Sequence, residues 1–325
     1  MKLIAALGLA WLFVAAPTKA QPQPLPKPVI LPISPPTGQS IAVALDESAR
    51  LSVPVTIGGR LCHFLIDTAS TRSVIASDVA DSLDLPKGKA MQILNIGGID
   101  TVQSVTIPEL GFSDFAVRDI VAPSLARSNL GGDGLLGLDM LRNKRVTIDF
   151  RNTTVLTITP SSRKPERSAS PKDGNADPET IIVVARSRMG ELIVTNAEID
   201  GIAVAVIIDT GSQDSIGNPA LARLLLGRSA YKEVGPATLI SVTGRTLPAD
   251  YAVIGKLRIG GVRLDNVQMA FGDIATFKKF QLVHRPAILL GMHTLRLFAQ
   301  VTIDFPRHEI RFLLRENSLG RDDKK

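Results

Sequence analysis

Short runs of alternating apolar and polar residues dominate this chain, and turn-forming residues separate them. Residues 51–57 alternate in this way, and two glycines then lead into an apolar run that ends at Ile66. Residues 192–208 repeat this shape on either side of an Asp-Gly pair, which is typical of tight hairpins. Helical periodicity is confined to residues 77–83 and 218–226. The pattern therefore predicts an all-β fold with short helices.

Two of the apolar runs end in nearly the same four residues. The copies are Asp67-Thr68-Ala69-Ser70 and Asp209-Thr210-Gly211-Ser212. An apolar segment with a central glycine follows each copy, around Gly137 and Gly291, and each is followed by Val-Thr-Ile-Asp-Phe. A long-period repeat of this kind predicts a doubled domain in which each half supplies half of one site. The aspartates within the Val-Thr-Ile-Asp-Phe repeats, Asp149 and Asp304, are interpreted as structural strand-edge residues.

The repeated phrase has the composition that paired carboxylate chemistry needs. An apolar strand presents each aspartate at a rigid end, and the small residue after threonine lets the two halves approach closely. Threonine can hydrogen-bond across the pair, and serine can hydrogen-bond its own carboxylate. Two carboxylates brought together cannot both ionise cheaply, so they share one proton. One then acts as base on water while the other polarises a peptide carbonyl, and this chemistry requires neither a metal nor another cofactor.

These motifs resemble the retropepsin-like aspartic proteases, over residues 41–158 and 181–314. Asp209-Thr210-Gly211-Ser212 matches the catalytic signature of that family, and residues 135–141 resemble its glycine helix. The resemblance implies two tandem acid-protease lobes in one chain, as in pepsin. It also implies three sets of site residues. These are the catalytic aspartates Asp67 and Asp209, the structural glycines Gly137 and Gly291, and flap hairpins at 94–101 and 240–247 with tips at Gly97, Gly98 and Gly244.

The chain departs from the family pattern at two points. Ala69 stands where the family usually has glycine, and a methyl group there either fits or displaces the catalytic loop. The chain also has no pepsin-type flap tyrosine at an obvious place. Tyr231 and Tyr251 both lie in the second half, and neither neighbours the flap glycine. Two alternatives to a protease with one shared dyad therefore stay open. One is an inactive peptide-binding protein that keeps the cleft, and the other is a dimer in which like lobes of two chains pair.

Composition and charge set the expected boundaries and compartment. Residues 1–20 have the features of a cleavable signal peptide, which predicts a periplasmic or secreted protein. The expected order is then a proline-rich lead-in at 21–40, a first lobe at 41–159, a flexible linker at 160–178, a second lobe at 179–316 and a charged tail at 317–325.

The remaining expectations concern partners. Cys62 is the only cysteine, so it is interpreted as a buried apolar filler. The formal charge is +6, but the basic residues are scattered, which argues against a nucleic-acid partner. The four histidines lack metal-ligand spacing, and no metal site is expected. We expect a monomer that acts on peptides or proteins and has no stable membrane insertion after signal cleavage.

Overall fold

A computed structural model describes residues 39–46, 50–113, 115–151, 154–162, 180–188 and 191–315. The predicted signal peptide, the charged tail and most of the predicted lead-in and linker lie outside these residues. Within the described ranges, no helix is long and apolar enough to cross a membrane.

The described residues of the first half of the chain form twelve strands and three short helices. Its strands are β1 (Gln39–Ala42), β2 (Ala44–Leu45), β3 (Leu51–Ile57), β4 (Arg60–Ile66), β5 (Val74–Ala76), β6 (Met91–Asn95), β7 (Gly98–Val102), β8 (Ser104–Phe112), β9 (Phe115–Leu125), β10 (Gly134–Leu136), β11 (Lys144–Asp149) and β12 (Val155–Pro160). Its helices are α1 (Ser77–Ser82), α2 (Arg127–Leu130) and α3 (Leu138–Leu141).

The described part of the second half contains ten strands in a similar order. These are β13 (Thr180–Arg188), β14 (Glu191–Ile199), β15 (Ile202–Ile208), β16 (Ile216–Gly217), β17 (Lys232–Ile240), β18 (Thr246–Ile259), β19 (Val262–Phe271), β20 (Ala287–Leu290), β21 (Gln300–Asp304) and β22 (Glu309–Leu313). Its helices are α4 (Pro219–Leu225), α5 (Ala275–Lys279) and α6 (Met292–Leu295).

Each half closes into a barrel of six strands. In the first lobe the order is β3-β4-β10-β5-β9-β8, and pairing of β8 with β3 closes it. In the second lobe β14-β15-β20-β16-β19-β18 follows the same order, and β18 pairs back with β14. The alternating residues bury their apolar members inside each barrel, including Cys62, which is buried as expected. The prediction of an all-β fold with two retropepsin-like lobes is confirmed.

A six-stranded antiparallel sheet joins the two lobes. Its order is β1-β12-β11-β21-β22-β13, and the central strands β11 and β21 contain the Val-Thr-Ile-Asp part of the two repeats. The valines and isoleucines of both repeats are buried on one face of this sheet. Asp304 is only 1% exposed and accepts a hydrogen bond from Arg145 Nε of the other lobe at 2.8 Å. Asp304 thus has the structural role that its place in the repeat predicts.

Candidate functional site

The two repeated aspartates occupy equivalent places at the ends of buried strands. β4 ends at Ile66 and lies parallel to β10, and the amide of Asp67 donates to the carbonyl of Leu136 at 3.0 Å. β15 lies parallel to β20 in the same way, and the amide of Asp209 donates to the carbonyl of Leu290 at 3.0 Å. Each aspartate therefore follows a strand that is hydrogen-bonded to a neighbouring strand on both sides.

Each carboxylate is held by the backbone of its own loop. Asp67 Oδ1 accepts the amides of Ala69 and Ser70, both at 2.9 Å. Asp209 Oδ1 accepts the corresponding amides of Gly211 at 2.9 Å and Ser212 at 3.2 Å. These bonds use one oxygen of each carboxylate and orient both groups in the same way within their loops.

The serine hydroxyls have a different role from the one that the sequence predicted. Ser70 Oγ donates to the carbonyl of Arg72 at 2.7 Å, and Ser212 Oγ donates to the carbonyl of Asp214 at 2.9 Å. The expected hydroxyl bond to the carboxylate is therefore wrong for both serines, because their backbone amides already occupy the nearer oxygen. The hydroxyls instead tighten the chain reversal that follows each aspartate.

Thr68 and Thr210 connect the two lobes through four buried hydrogen bonds. The amide of each threonine donates to the hydroxyl of the other, at 3.2 Å and 3.1 Å. The hydroxyls in turn donate across the interface, from Thr68 to the carbonyl of Ile208 at 3.0 Å and from Thr210 to that of Ile66 at 2.8 Å. The accepting carbonyls immediately precede the two aspartates. This reciprocal network therefore brings Asp67 and Asp209 to the same seam.

Gly211 lies against the carboxylate of the opposite lobe. A β-carbon built at Gly211 would fall 2.5 Å from Cγ of Asp67, closer than any normal contact. The backbone of Gly211 is not in the left-handed region, so space rather than conformation requires glycine here. The backbone of Ala69 is not in the left-handed region either, so the alanine side chain causes no backbone strain there.

Burial dominates the electrostatics of the first aspartate. Burial raises the pKa of Asp67, and the amides of Ala69 and Ser70 act in the opposite direction. The positive charges of Arg50 and, from the second lobe, Lys279 also lower it, but burial prevails. Asp67 therefore keeps its proton to a higher pH than an isolated aspartic acid.

The glycine segments pack behind the two aspartate loops and hydrogen-bond to them. The amide of Gly137 donates to Ser73 Oγ, and that of Gly291 donates to Ser215 Oγ, both at 3.1 Å. The next residue in each segment donates its amide to the serine carbonyl of the repeated phrase, Leu138 to Ser70 at 2.8 Å and Met292 to Ser212 at 2.9 Å. Helices α3 and α6 therefore hold the loops in register with the barrels.

We expect alanine at Gly137 or Gly291 to destabilise the protein. A β-carbon would lie 2.5 Å from the carbonyl carbon of Arg72 at the first position and 2.6 Å from that of Asp214 at the second. Overpacking against backbone costs about 1–3 kcal/mol of unfolding free energy. Chemical denaturation measures the loss. Gly261→Ala is the control, because its nearest contact is a flexible isoleucine atom at 3.3 Å. Equal stability of all three variants would contradict the tight packing.

The predicted flap residues lie in two hairpins. β6 and β7 form a separate two-stranded sheet in which Asn95 is opposite Gly98, so the turn contains Ile96 and Gly97. In the second lobe Ile240 is opposite Thr246, and Gly244 adopts a left-handed conformation in the turn. We call the β6–β7 hairpin the first flap and residues 239–247 the second flap.

A polar cluster beside the second aspartate loop was not found from the sequence. Tyr251 Oη donates to Asp214 Oδ1 at 3.0 Å, and His293 Nδ1 lies 2.9 Å from the same oxygen. Burial, with the charge of Asp214, raises the pKa of Tyr251 to about 12. The three residues come from a loop, β18 and α6, and their spacing in the chain gives no signal of this contact. No group of three or more His, Cys, Asp or Glu residues that could hold a metal ion exists in the described ranges.

Comparison with protein families gives one match in each half. Residues 53–143 match a family described as "gag-polyprotein putative aspartyl protease", and residues 195–294 match one described as "Aspartyl protease". The first match includes Asp67 with Gly137, and the second includes Asp209 with Gly291. No curated protein matches the chain.

Proposed function

Because the chain belongs to the retropepsin-like aspartic protease family, we propose that it is an endopeptidase with one active site. Asp67 from the first lobe and Asp209 from the second would form its dyad. The observation that carries this proposal is the reciprocal threonine network, since it ties the two aspartate loops together within a single chain. The same network favours pairing within the chain over pairing of like lobes between two chains.

The proposed reaction is a direct attack of water on a peptide bond. The ionised carboxylate removes a proton from water, and the resulting hydroxide attacks the carbonyl carbon. The protonated carboxyl donates its proton to the carbonyl oxygen, giving a tetrahedral diol. Transfer of a proton to the amide nitrogen then breaks the C–N bond and releases an acid and an amine. No covalent link to the protein is formed.

The environment of Asp67 supports this division of roles. Two carboxyl groups that share one site hold one proton between them. Burial raises the pKa of Asp67, which suits it to hold that proton. The amide bonds to Oδ1 of both residues fix the orientation of each carboxyl group within its loop. Gly211 lies against the carboxyl group of Asp67, and because it has no side chain it leaves room beside that group.

We expect peptide hydrolysis to decline as the pH rises. We also expect a peptide mimic with a central hydroxyl to inhibit hydrolysis. The pair must hold one proton, and this proton is lost at a pH above the raised pKa of Asp67. A hydroxyl in place of the attacked carbonyl occupies the position of the attacking water. The measurement is cleavage of a peptide library across pH, followed by mass spectrometry. Activity that a chelator abolishes and added metal restores would contradict the mechanism.

The compartment in which the protein acts is also part of the proposal. The predicted signal at residues 1–20 would direct the protein to the periplasm or the exterior. A sequencing experiment on the secreted protein that finds Met1 at its N-terminus would contradict cleavage of this segment.

A further inference from the structure

A charged cavity opens on the outer face of the second barrel, away from the aspartates. It has a volume of about 680 Å³ and lies where β14, β18 and β19 run side by side. It also borders Asp200 and Gly201, the turn at which β15 begins, whereas Asp209 follows the other end of that strand. The seven residues of β15 span about 20 Å. The cavity is therefore distinct from the seam that holds the two aspartates.

Two arginines on neighbouring strands face each other in the lining of this cavity. Arg258 of β18 is directly opposite Arg263 of β19, and on its other side it is opposite Glu198 of β14. Directly opposite side chains in an antiparallel pair have β-carbons about 4.5–5.5 Å apart, and like charges in this position destabilise the sheet. Arg263 donates from Nε to Asp265 at 3.0 Å, but the guanidinium of Arg258 forms no ion pair in the described part of the chain. An anion between the two arginines would offset their repulsion.

The first barrel shows that the fold itself does not require these charges. β3, β8 and β9 pair in the same way as β14, β18 and β19, so their registers identify equivalent positions. The positions of Glu198, Arg258 and Arg263 are occupied in the first barrel by Thr56, Gly111 and Ala116. Small uncharged residues therefore suffice to pair these strands, and closure of the barrel does not account for the two arginines.

Contacts with the neighbouring backbone fix two walls of the cavity. The carboxylate of Asp200 accepts the amides of Gly255 at 3.2 Å and Lys256 at 2.8 Å, which holds the β14–β15 turn against β18. A β-carbon at Gly255 would lie 2.6 Å from that of Ala230, so glycine lets the loop after α4 approach the strand closely. Asp200 and Ala230 both line the cavity. Its shape is therefore built into the lobe and does not depend on the exposed side chains alone.

We infer that the cavity binds a small organic anion, whose phosphate or carboxylate group is held by Arg258 and Arg263. Guanidinium groups present paired N–H donors that match both kinds of group, and hydrogen bonds between charged partners are stronger than neutral ones. Lys256 adds a third positive charge to the lining, whereas Glu198 opposes the anion. The volume favours an organic molecule over a bare ion, because pockets for such ligands usually measure about 300–1,000 Å³. The inference does not rest on the proposed function.

Titration of the full protein, followed by NMR, tests the site without reference to cleavage. The probes are inorganic phosphate, glycerol 3-phosphate and citrate. We expect at least one of the two organic probes to cause saturable shifts in the amide signals of residues 198–201, 255–258 and 263–266. The tighter of the two identifies the preferred group as phosphate or carboxylate. Absence of saturable binding by all three probes, or binding of inorganic phosphate alone, overturns the inference.

Three variants separate the site from the overall charge of the protein. Arg258→Gln should weaken binding about tenfold to a hundredfold, because it removes a charged hydrogen-bond donor. Glu198→Gln should tighten binding about two- to fivefold, because it removes a negative charge beside the anion, and a folding defect cannot produce this gain. Arg118→Gln is the matched control, since it removes an exposed positive charge from β9 of the first barrel. Unchanged binding in Arg258→Gln, or equal weakening in Arg118→Gln and Arg258→Gln, overturns the inference.

Discussion

Asp67→Asn and Asp209→Asn each reduce peptide cleavage by about 10²-fold to 10⁴-fold or more, the usual contribution of a general acid or base. Either change leaves one carboxyl group where the reaction needs a base and an acid. A dimer with like-with-like sites gives a different result, because each variant would keep one intact pair of aspartates. The measurement is kcat/KM on one peptide for both variants. Near-wild-type cleavage by either would contradict a shared dyad.

The loss must occur in a folded protein, and the stability of Asp67→Asn provides the control. Both amide bonds to Asp67 go to a single oxygen, which the asparagine carbonyl can replace. A carboxyl group whose pKa is raised by folding stabilises the fold only at low pH, and this contribution is lost as the pH rises through the raised value. The asparagine side chain of the variant does not titrate. The melting temperature of the variant should therefore rise relative to wild type between acidic and neutral pH, and a relative fall would contradict the raised pKa of Asp67.

Gly211→Ala reduces turnover by about a hundredfold, the second largest effect that we expect. The added β-carbon would lie 2.5 Å from Cγ of Asp67, so either the carboxylate or the loop has to move. A displacement of about 1 Å in a catalytic group typically costs about 10²-fold in rate. The protein should remain folded with a loss of about 1–3 kcal/mol in unfolding free energy. Wild-type turnover in Gly211→Ala would contradict the close approach of the lobes.

Ala69→Gly is the matched change in the other lobe, and we expect little effect on turnover. The backbone of Ala69 is not left-handed, so glycine relieves no strain there. The extra freedom of the unfolded chain should cost about 0.4–1 kcal/mol of stability. Turnover on a single peptide decides the question. A gain of about tenfold or more, equal to about 1.4 kcal/mol in the barrier, would show that the alanine impairs the natural protein.

The fold was predictable because its signals are local and occur twice. Alternation identifies the strands, the Asp-Gly pair identifies the β14–β15 turn, and duplication implies equivalent places for Asp67 and Asp209. The hairpins that contain the flap glycines were implied by the family resemblance and not by alternation or duplication. The repeat also places β11 and β21 in equivalent positions, but their direct pairing in one sheet between the lobes is a result of the structure.

The contacts that were not predicted join residues far apart in the chain. Asp100 in β7 and Arg245 in the second flap form an ion pair across 145 positions, and neither segment signals this contact when it is read alone. The serine hydroxyls were assigned to the carboxylates because they are close in sequence. In the structure, Oδ1 of each carboxylate accepts two backbone amides of its own loop. The serine hydroxyls donate to backbone carbonyls of the loop instead. Competition among nearby donors of this kind depends on the geometry of the turn and leaves no trace in composition.

A structure of the protein bound to a peptide mimic with a central hydroxyl tests the account most directly. The central claim is that one aspartate from each lobe acts on the same atom. The account predicts a hydroxyl oxygen within about 2.6–3.2 Å of carboxylate oxygens of both Asp67 and Asp209. A hydroxyl held by only one of them, or a mimic bound outside the seam between the lobes, would contradict it.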